Sequence, residues 1–450
     1  MSLLKKYIKD KNDRNVMANI LYAFIIKGFS LFVSLFSMPL YIKYFNDDSV
    51  LGLWYTILSV LSWINICDLG LGNGMRNRLT EAIALNDFDA GKRYISSTYV
   101  MTTLIIAPVL IFGTILFRVV DVNSFFNVSQ NLISKDSLFI TLIILLLGIG
   151  INFVLKVANY ALYSVQKSSV NNLLSFFTSI IPLLFILVFK GNNPQQNLII
   201  LSVVHSVALN LPIAISTVIL FKGKILRDFR PSLKYFDFST AKNMLSLGLR
   251  FFGAQVFFML LMSTNEILIT KLFSAKDVVE YSIYYKVFSV TGSLFTLALT
   301  PLWSKVTKDI AEKNYLKVKK TNYIMYVLAT IGSIFQFFII IILQFVFDIW
   351  LRDATIEVDK FTALAFALFG SLYIFNIVLT TVANGIGMLK TQIVFYGIGS
   401  ILKLPVLMLL SGFINNWEIV VVYNCIVLFS FTTFQLFWIE KTINNLIKNK

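Results

Sequence analysis

The chain has 450 residues, of which 57% are hydrophobic and 14% are charged, and its formal net charge is +16 at pH 7. Soluble domains carry about 25% charged residues, so this composition excludes an ordinary soluble enzyme, a disordered chain and a coiled coil. We therefore expect an integral membrane protein. Its positive charge fits membrane topology and anionic lipid better than nucleic-acid binding, because no basic soluble module is present.

Twelve stretches of the sequence are long and apolar enough to cross a membrane, which takes about 20 residues as a helix. Their apolar runs are continuous rather than alternating, which favours helices over barrel strands. No loop between them reaches the roughly 50 residues of an independent domain. We predict an all-α integral membrane protein whose spans begin near Val16, Val50, Ile95, Asp136, Ser169, Asn197, Met244, Val279, Thr321, Asp359, Thr391 and Glu418.

Basic residues set the predicted orientation. The segment before the first span is rich in Lys, and the apolar stretch after it is too long for a signal-peptide core, so the first span is expected to stay uncleaved. Most of the 39 Lys and Arg residues fall in cytoplasmic segments if both termini lie inside. The positive-inside rule therefore predicts a multi-pass membrane protein with both termini in the cytoplasm.

The two halves of the chain resemble each other weakly. Residues 43–45 read Lys-Tyr-Phe and close the first span, and residues 271–273 read Lys-Leu-Phe and close the seventh. Six spans per half give both copies the same orientation, which is the parallel repeat of some transporters. We predict an N-lobe over residues 1–221, a cytoplasmic linker over 222–243 and a C-lobe over 244–450.

Several basic residues lie inside or at the mouths of predicted spans, where an unpaired charge is costly. Lys27 and Lys403 are near mid-span, Arg250 and Lys286 lie one to two turns into the seventh and eighth spans, and Arg76 lies at the cytoplasmic end of the second. Together they predict a site for an anionic headgroup such as pyrophosphate. The alternatives are snorkelling side chains for Arg250 and Lys286 and a simple positive-inside role for Arg76.

Three other ionisable residues are candidates for ion coupling or gating. Glu266 is the only glutamate that lies well inside a predicted span. Asp68 lies at the end of the second span, and His205 is the sole histidine of the sequence. A proton or sodium ion could couple transport through Glu266, whereas a salt bridge for Glu266 and a hydrogen-bonded structural role for His205 are the alternatives. We expect no cofactor other than a coupling Na⁺ or H⁺, and the two cysteines and one histidine predict no metal site.

Motifs of the common hydrolases are missing from the sequence. It contains no Gly-x-x-x-x-Gly-Lys-Ser/Thr phosphate loop, no His-Glu-x-x-His pair and no Gly-x-Ser-x-Gly elbow. We therefore predict a transporter rather than an enzyme.

Two short motifs carry a resemblance to a known family. Residues 51–55 read Leu-Gly-Leu-Trp-Tyr, and residues 68–77 contain an Asp-Leu-Gly-Leu-Gly-Asn core. With the twelve-span layout, they resemble the polysaccharide repeat-unit flippases, the Wzx-type O-antigen and capsule translocases of the multidrug/oligosaccharidyl-lipid/polysaccharide (MOP) superfamily. The resemblance implies a MATE-like pair of six-helix lobes. It also implies that an undecaprenyl-pyrophosphate-linked oligosaccharide moves from the cytoplasmic to the outer leaflet of a bacterial inner membrane. Related flippases line their cavity with cations from the first helices of each lobe, and Lys27, Arg250 and Lys286 are the matching candidates by location.

Two other functions stay open at this stage. An ion-coupled drug or cation exporter of the same superfamily is the first, but a cation exporter would favour buried carboxylates over buried Lys and Arg. A polysaccharide polymerase is less favoured, because its outer loop would have to be longer. The expected partners are the lipid-linked oligosaccharide, membrane lipids and a polysaccharide polymerase, with the chain itself a monomer.

Overall fold

The computed structural model describes the chain except for residues 1–20, 23–24, 27, 31–32, 34–36, 38–39, 42, 63, 65–68, 127, 190–192, 274, 352–356 and 450. The described residues form helices and turns, with no strand among them. In chain order from Asp48 these helices are α1 (Asp48–Ser62), α2 (Leu71–Ala84), α3 (Phe88–Val119), α4 (Val122–Phe125), α5 (Lys135–Leu155), α6 (Val157–Ser164), α7 (Ser168–Val188), α8 (Pro194–Lys222), α9 (Phe238–Ser263), α10 (Asn265–Leu272), α11 (Ala275–Ala311), α12 (Tyr315–Leu351), α13 (Lys360–Ile386), α14 (Lys390–Ser411) and α15 (Ile419–Lys448).

Polar caps decide where several of these helices begin and end. The Asp87 carboxylate accepts from the N–H of Ala90 at 2.9 Å at the start of α3, and Asp359 accepts from the N–H of Thr362 at 2.7 Å at the start of α13. Such side chains satisfy first-turn N–H groups that have no intrahelical partner. Helix α13 ends at Ile386, and the next residue, Gly387, has a φ of 82°, which favours a glycine.

The described part of the chain contains ten helices long and apolar enough to cross a membrane. They correspond in order to the third to twelfth predicted spans. The shorter α1 lies in the second predicted span, and most of the first predicted span lies outside the described residues. The predicted all-α membrane fold is confirmed, while the count of twelve spans stays a prediction.

The described residues divide into two compact units, the first ending at Leu249 and the second beginning at Arg250. In the first unit α8 packs on α5 and α7, and α2 packs on α3 and α6. In the second unit α13 packs on α11, α12 and α15. Small residues of α13, among them Ala363, Ala367 and Gly370, are buried at these contacts, which allows neighbouring helices to approach closely.

Residues 222–243, predicted as a linker between lobes, pack on the first unit. The N–H of Ser232 donates to the Ser96 hydroxyl at 3.0 Å, and the N–H of Asp237 donates to the Ser97 hydroxyl at 3.1 Å. Asp237 precedes α9, and hydrogen bonds from the side chain and N–H of Thr240 hold the pKa of its carboxyl below the ordinary value. This segment is therefore fixed to α3 of its own unit.

Candidate functional site

The second unit contains a cavity of about 720 Å³ lined by two basic side chains and a tryptophan. Arg250 lines the cavity from α9 and Trp438 lines it from α15. Lys390, the first residue of α14, also lines the cavity. The tight turn at Gly387 places Lys390 only four residues after the end of α13, so residues of the turn also line the cavity. Apolar side chains of α14, such as Val394 and Phe395, supply much of the rest.

Both cations of this cavity are available to a ligand. Arg250 and Lys390 are exposed, and within the described residues neither forms an ion pair or a side-chain hydrogen bond. Charges beside hydrocarbon walls are screened less than charges surrounded by water, so they attract an anion more strongly. Trp438 is 49% exposed and offers a ring face nearby. The arrangement can bind an anionic group next to a ring or an apolar surface.

Lys403 has a different environment, although it belongs to the same unit. Its side chain is 1% exposed, and its Nζ donates to the carbonyl oxygen of Leu261, to Thr264 Oγ1 at 3.2 Å and to Asn265 Oδ1. These acceptors lie where α9 ends and α10 begins, with Thr264 between the two helices. The amine is therefore buried against a helix break and bonded to protein atoms.

Asn265 is the centre of the polar network around Lys403. Its Oδ1 also accepts from Asn424 Nδ2 at 3.0 Å, and its Nδ2 donates to the Tyr281 hydroxyl at 2.7 Å. The network thus joins five helices, α9, α10, α11, α14 and α15. Both Asn265 and Asn424 are 1% exposed, so these hydrogen bonds form away from water and fix the helices relative to one another.

Glu266 follows Asn265 directly, but its side chain is exposed. Its carboxylate interacts electrostatically with Tyr281 and Tyr285 of α11. The predicted coupling role of Glu266 is not tested by this geometry and stays a prediction.

Arg76 lies in the first unit, where it is buried rather than open to solvent, at 3% exposure. Its guanidinium lies over the ring of Tyr163, 4.9 Å from the centroid. Its backbone carbonyl accepts from the Thr80 hydroxyl at 2.8 Å and from the Ser164 hydroxyl at 3.1 Å. Arg76 therefore joins α2 to α6, and its predicted contact with a substrate stays untested.

The glycine-rich run around the start of α2 permits close helix packing. A Cβ at Gly72 would lie 1.9 Å from the ring of Tyr160, and a Cβ at Gly74 would lie 2.9 Å from the carbonyl oxygen of Met244. Because only glycine leaves room for these neighbours, the run explains how α2 packs against α6 and the start of α9.

The remaining predicted site residues are dispersed. His205 is half-buried and contacts Trp54 edge to face, with 5.6 Å between ring centroids. Lys286 is exposed on α11 and does not line the Arg250 cavity. Lys27 and Asp68 lie outside the described residues. Among the predicted cations that lie in the described part of the chain, Arg250 alone lines the cavity, where it is joined by Lys390.

Sequence reasoning missed the residues that complete both sites. Lys390 reads as an ordinary basic residue of a cytoplasmic loop, and Trp438 as one of many aromatic residues in a span. Asn265 carried a usable signal, since a buried amide in an apolar span needs hydrogen-bond partners.

No protein-family model matches this chain. Two curated proteins described as O-antigen transporters are similar in sequence. The one from Salmonella typhi is 23% identical over 310 residues, which are 67% of this chain and 66% of that protein. The one from Salmonella typhimurium is 23% identical over 333 residues, which are 70% of this chain and 71% of that protein.

Solved structures agree on the fold. A multidrug resistance MATE transporter of the MOP superfamily in an outward-facing conformation matches with a TM-score of 0.71 at 14% identity, covering 95% of this chain and 96% of that one. A Vibrio cholerae MATE transporter matches with a TM-score of 0.70 at 12% identity, covering 96% of this chain and 98% of that one. This chain therefore has the fold of the MATE transporters of the MOP superfamily and is similar in sequence to O-antigen transporters, which confirms the resemblance that its motifs carry.

Proposed function

We propose that this protein is a flippase that moves an undecaprenyl-pyrophosphate-linked oligosaccharide, an O-antigen or capsule repeat unit, from the cytoplasmic to the outer leaflet of a bacterial inner membrane. The observation that carries the proposal is the cavity of Arg250 and Lys390 in a chain similar to O-antigen transporters. Two cations that form no ion pair with a described residue suit the two phosphates of such a headgroup, because charge-assisted hydrogen bonds to phosphate oxygens are among the strong ones.

The parts of the substrate match different surroundings in this proposal. The pyrophosphate binds Arg250 and Lys390, the sugars lie in the cavity beside Trp438, and the polyprenyl tail stays in lipid. Alternating access then exposes the bound headgroup to the other side, driven by Na⁺, H⁺ or the membrane potential. Lys27, Arg76 and Lys286 are proposed to extend the cationic path, and a polymerase is the proposed recipient of the flipped unit.

Ion-coupled export of a drug or another cation is the second candidate, since the solved MATE structures share this fold. The charge of the cavity disfavours it, because two cations repel a cationic substrate and no described acidic residue lines the cavity. The choice between an anionic and a cationic substrate is what the experiment has to decide.

The experiment measures how accessible the lipid-linked oligosaccharide is to membrane-impermeant periodate in cells that lack the gene. The cells are complemented with wild type, Arg250→Ala, Lys390→Ala or the control Lys360→Ala. Lys360 is an exposed lysine at the start of α13, away from the cavity. In cells that lack the gene, the lipid-linked oligosaccharide should stay in the cytoplasmic leaflet. Wild type and Lys360→Ala should restore its exposure, and each cavity variant should restore it at least about tenfold less, as expected for one charge-assisted hydrogen bond.

Each result has a distinct meaning, provided that membrane levels of the variants are equal. If deletion leaves both exposure and surface polysaccharide unchanged, the flippase proposal fails, and sensitivity of the deletion strain to cationic dyes then tests drug export. If deletion blocks exposure but both cavity variants restore it fully, the flippase proposal stands and the headgroup site lies elsewhere.

A further inference from the structure

The helix break between α9 and α10 contains a charged group that the proposed substrate cavity does not use. Carbonyl groups in the last turn of a helix have no intrahelical partner and carry the negative end of the helix dipole. At the end of α9 the Leu261 carbonyl is one of them, and it accepts a hydrogen bond from Lys403 of α14. The lysine thus caps a broken helix from a neighbouring helix.

The hydrogen bonds around Lys403 match the charged form of its amine. An ammonium group has three N–H donors and no acceptor. Three oxygen atoms accept hydrogen bonds from this amine, and they belong to Leu261, Thr264 and Asn265. All three accepting groups are neutral. Within the described residues no carboxylate lies within ion-pairing distance of Lys403. A carbonyl, a hydroxyl and an amide oxygen therefore surround one positive charge.

We propose that this break is a binding site for a single positive charge and that Lys403 fills it with a charge carried by the chain itself. In transporters, the carbonyl ends of broken helices are places where coupling cations bind. Lys403 occupies such a place permanently, so the second unit needs no monovalent cation from solution there. The ammonium also has no donor left for a substrate anion, which separates its role from that of Arg250.

Two variants separate the charge of Lys403 from its bulk. Lys403→Met keeps much of the side-chain length and loses the charge. Lys403→Ala leaves space where a small ammonium ion can reach the same three oxygens. A ligand that binds the folded but not the unfolded protein raises the unfolding temperature, and the rise grows as the ligand concentration exceeds its Kd. Methylammonium chloride is therefore the probe. Choline chloride at the same concentration is the control, because its quaternary nitrogen carries a charge but no N–H donor.

The test is thermal unfolding of the purified full-length proteins in one detergent. Both variants should unfold about 5 °C or more below wild type. Methylammonium should raise the unfolding temperature of Lys403→Ala above that seen in choline, and it should have no such effect on wild type or Lys403→Met. The proposal fails if Lys403→Met is as stable as wild type, or if methylammonium and choline act equally on Lys403→Ala.

A third variant tests the charge in a protein that keeps Lys403. Asn265→Asp places a carboxylate beside the amine, and Tyr281 and Asn424 can still donate to it. If the amine is charged, the new ion pair keeps the unfolding temperature at or above that of wild type. If the unfolding temperature of Asn265→Asp falls below that of wild type, Lys403 does not act as a positive charge at this break, which would overturn the proposal even if neither Lys403 variant folds.

Discussion

Arg250 and Lys403 are both basic residues in spans of the second unit, and they stand in opposite situations. Arg250 is exposed in a cavity and forms no ion pair with a described residue, whereas Lys403 is 1% exposed and donates to three oxygens. From the sequence, both residues are candidates for substrate binding, with Lys403 near mid-span and Arg250 one to two turns into its span. In the structure the shallower residue is the one open to a ligand.

The difference teaches that the depth of a charge in a span does not decide its role. The role of a charged side chain depends on how many of its hydrogen-bond donors are not already bonded to protein atoms. A cation whose donors all bond to protein atoms stabilises the fold, and disturbing it leaves a buried charge short of partners. A cation with free donors contributes little to folding and can meet an anion. The contrast predicts opposite effects of mutation on stability and on transport.

The largest effect on stability is expected at Asn265, the centre of the Lys403 network. Asn265→Leu removes an acceptor of the ammonium and the donor to Tyr281, so the free energy of unfolding should fall by about 3 kcal/mol or more. Reversible unfolding in mixed micelles measures it. Asn415→Leu is the control, because Asn415 is exposed in the turn before α15, and it should change the value by less than about 0.5 kcal/mol. If the two substitutions lower the free energy of unfolding equally, the hydrogen bonds around Lys403 do not stabilise the fold in the way proposed.

Two glycines show a similar contrast, between a position that is closely packed and one that has free space around it. A Cβ at Gly72 would meet the ring of Tyr160, whereas a Cβ at Gly253 of α9, three residues after Arg250, meets nothing within 4 Å. Gly72→Ala should therefore lower the free energy of unfolding by about 1–3 kcal/mol through overpacking. Gly253→Ala should leave it unchanged or raise it slightly, since alanine favours a helix. The same unfolding assay compares them, and a harmless Gly72→Ala would mean that α2 and α6 separate easily.

Arg76 gives an intermediate case, because it is buried and its guanidinium lies over an aromatic ring. The delocalised charge of a guanidinium is weakly hydrated and stacks on aromatic faces, which the compact ammonium of Lys403 does less well. Tyr163→Leu should lower the free energy of unfolding by about 1 kcal/mol, the size of one cation–π contact. Tyr163→Phe keeps the ring and should recover most of this loss; if it does not, the hydroxyl and not the ring face matters at this position.

Much of the fold follows from the sequence because lipid imposes a simple rule. Apolar stretches of about 20 residues must form helices there, since no water can satisfy their backbone groups. The third to twelfth predicted spans all correspond to helices in the structure. The helix break at Thr264 was not predicted, because Thr264 and Asn265 lie in an apolar stretch without proline or glycine between Gly253 and Lys271.

The candidate site was predicted less well, for a physical reason. Hydropathy along one chain shows that Arg250 and Lys403 lie in spans, but it does not show which oxygens a neighbouring helix presents. The acceptors of Lys403 come from residues 138 to 142 positions away, and Lys390 and Trp438 reach the Arg250 cavity from two other helices. Only packing of the helices brings these groups together.

The smallest effect on stability is expected at Arg250, where the contrast with Lys403 is sharpest. Arg250→Ala should change the free energy of unfolding by less than about 0.5 kcal/mol, because an exposed side chain without an ion pair leaves no group unsatisfied when it is removed. Its transport defect should persist in protein that unfolds like wild type. Arg250→Lys separates charge from shape, since lysine keeps the charge but lacks the planar fork that binds two phosphate oxygens at once. Partial recovery of transport by Arg250→Lys would indicate bidentate binding of phosphate, and full recovery would indicate attraction by charge alone. A loss of stability in Arg250→Ala as large as that in Lys403→Met would show that Arg250 is also bonded within the fold, and the proposed division between folding cations and transport cations would be wrong.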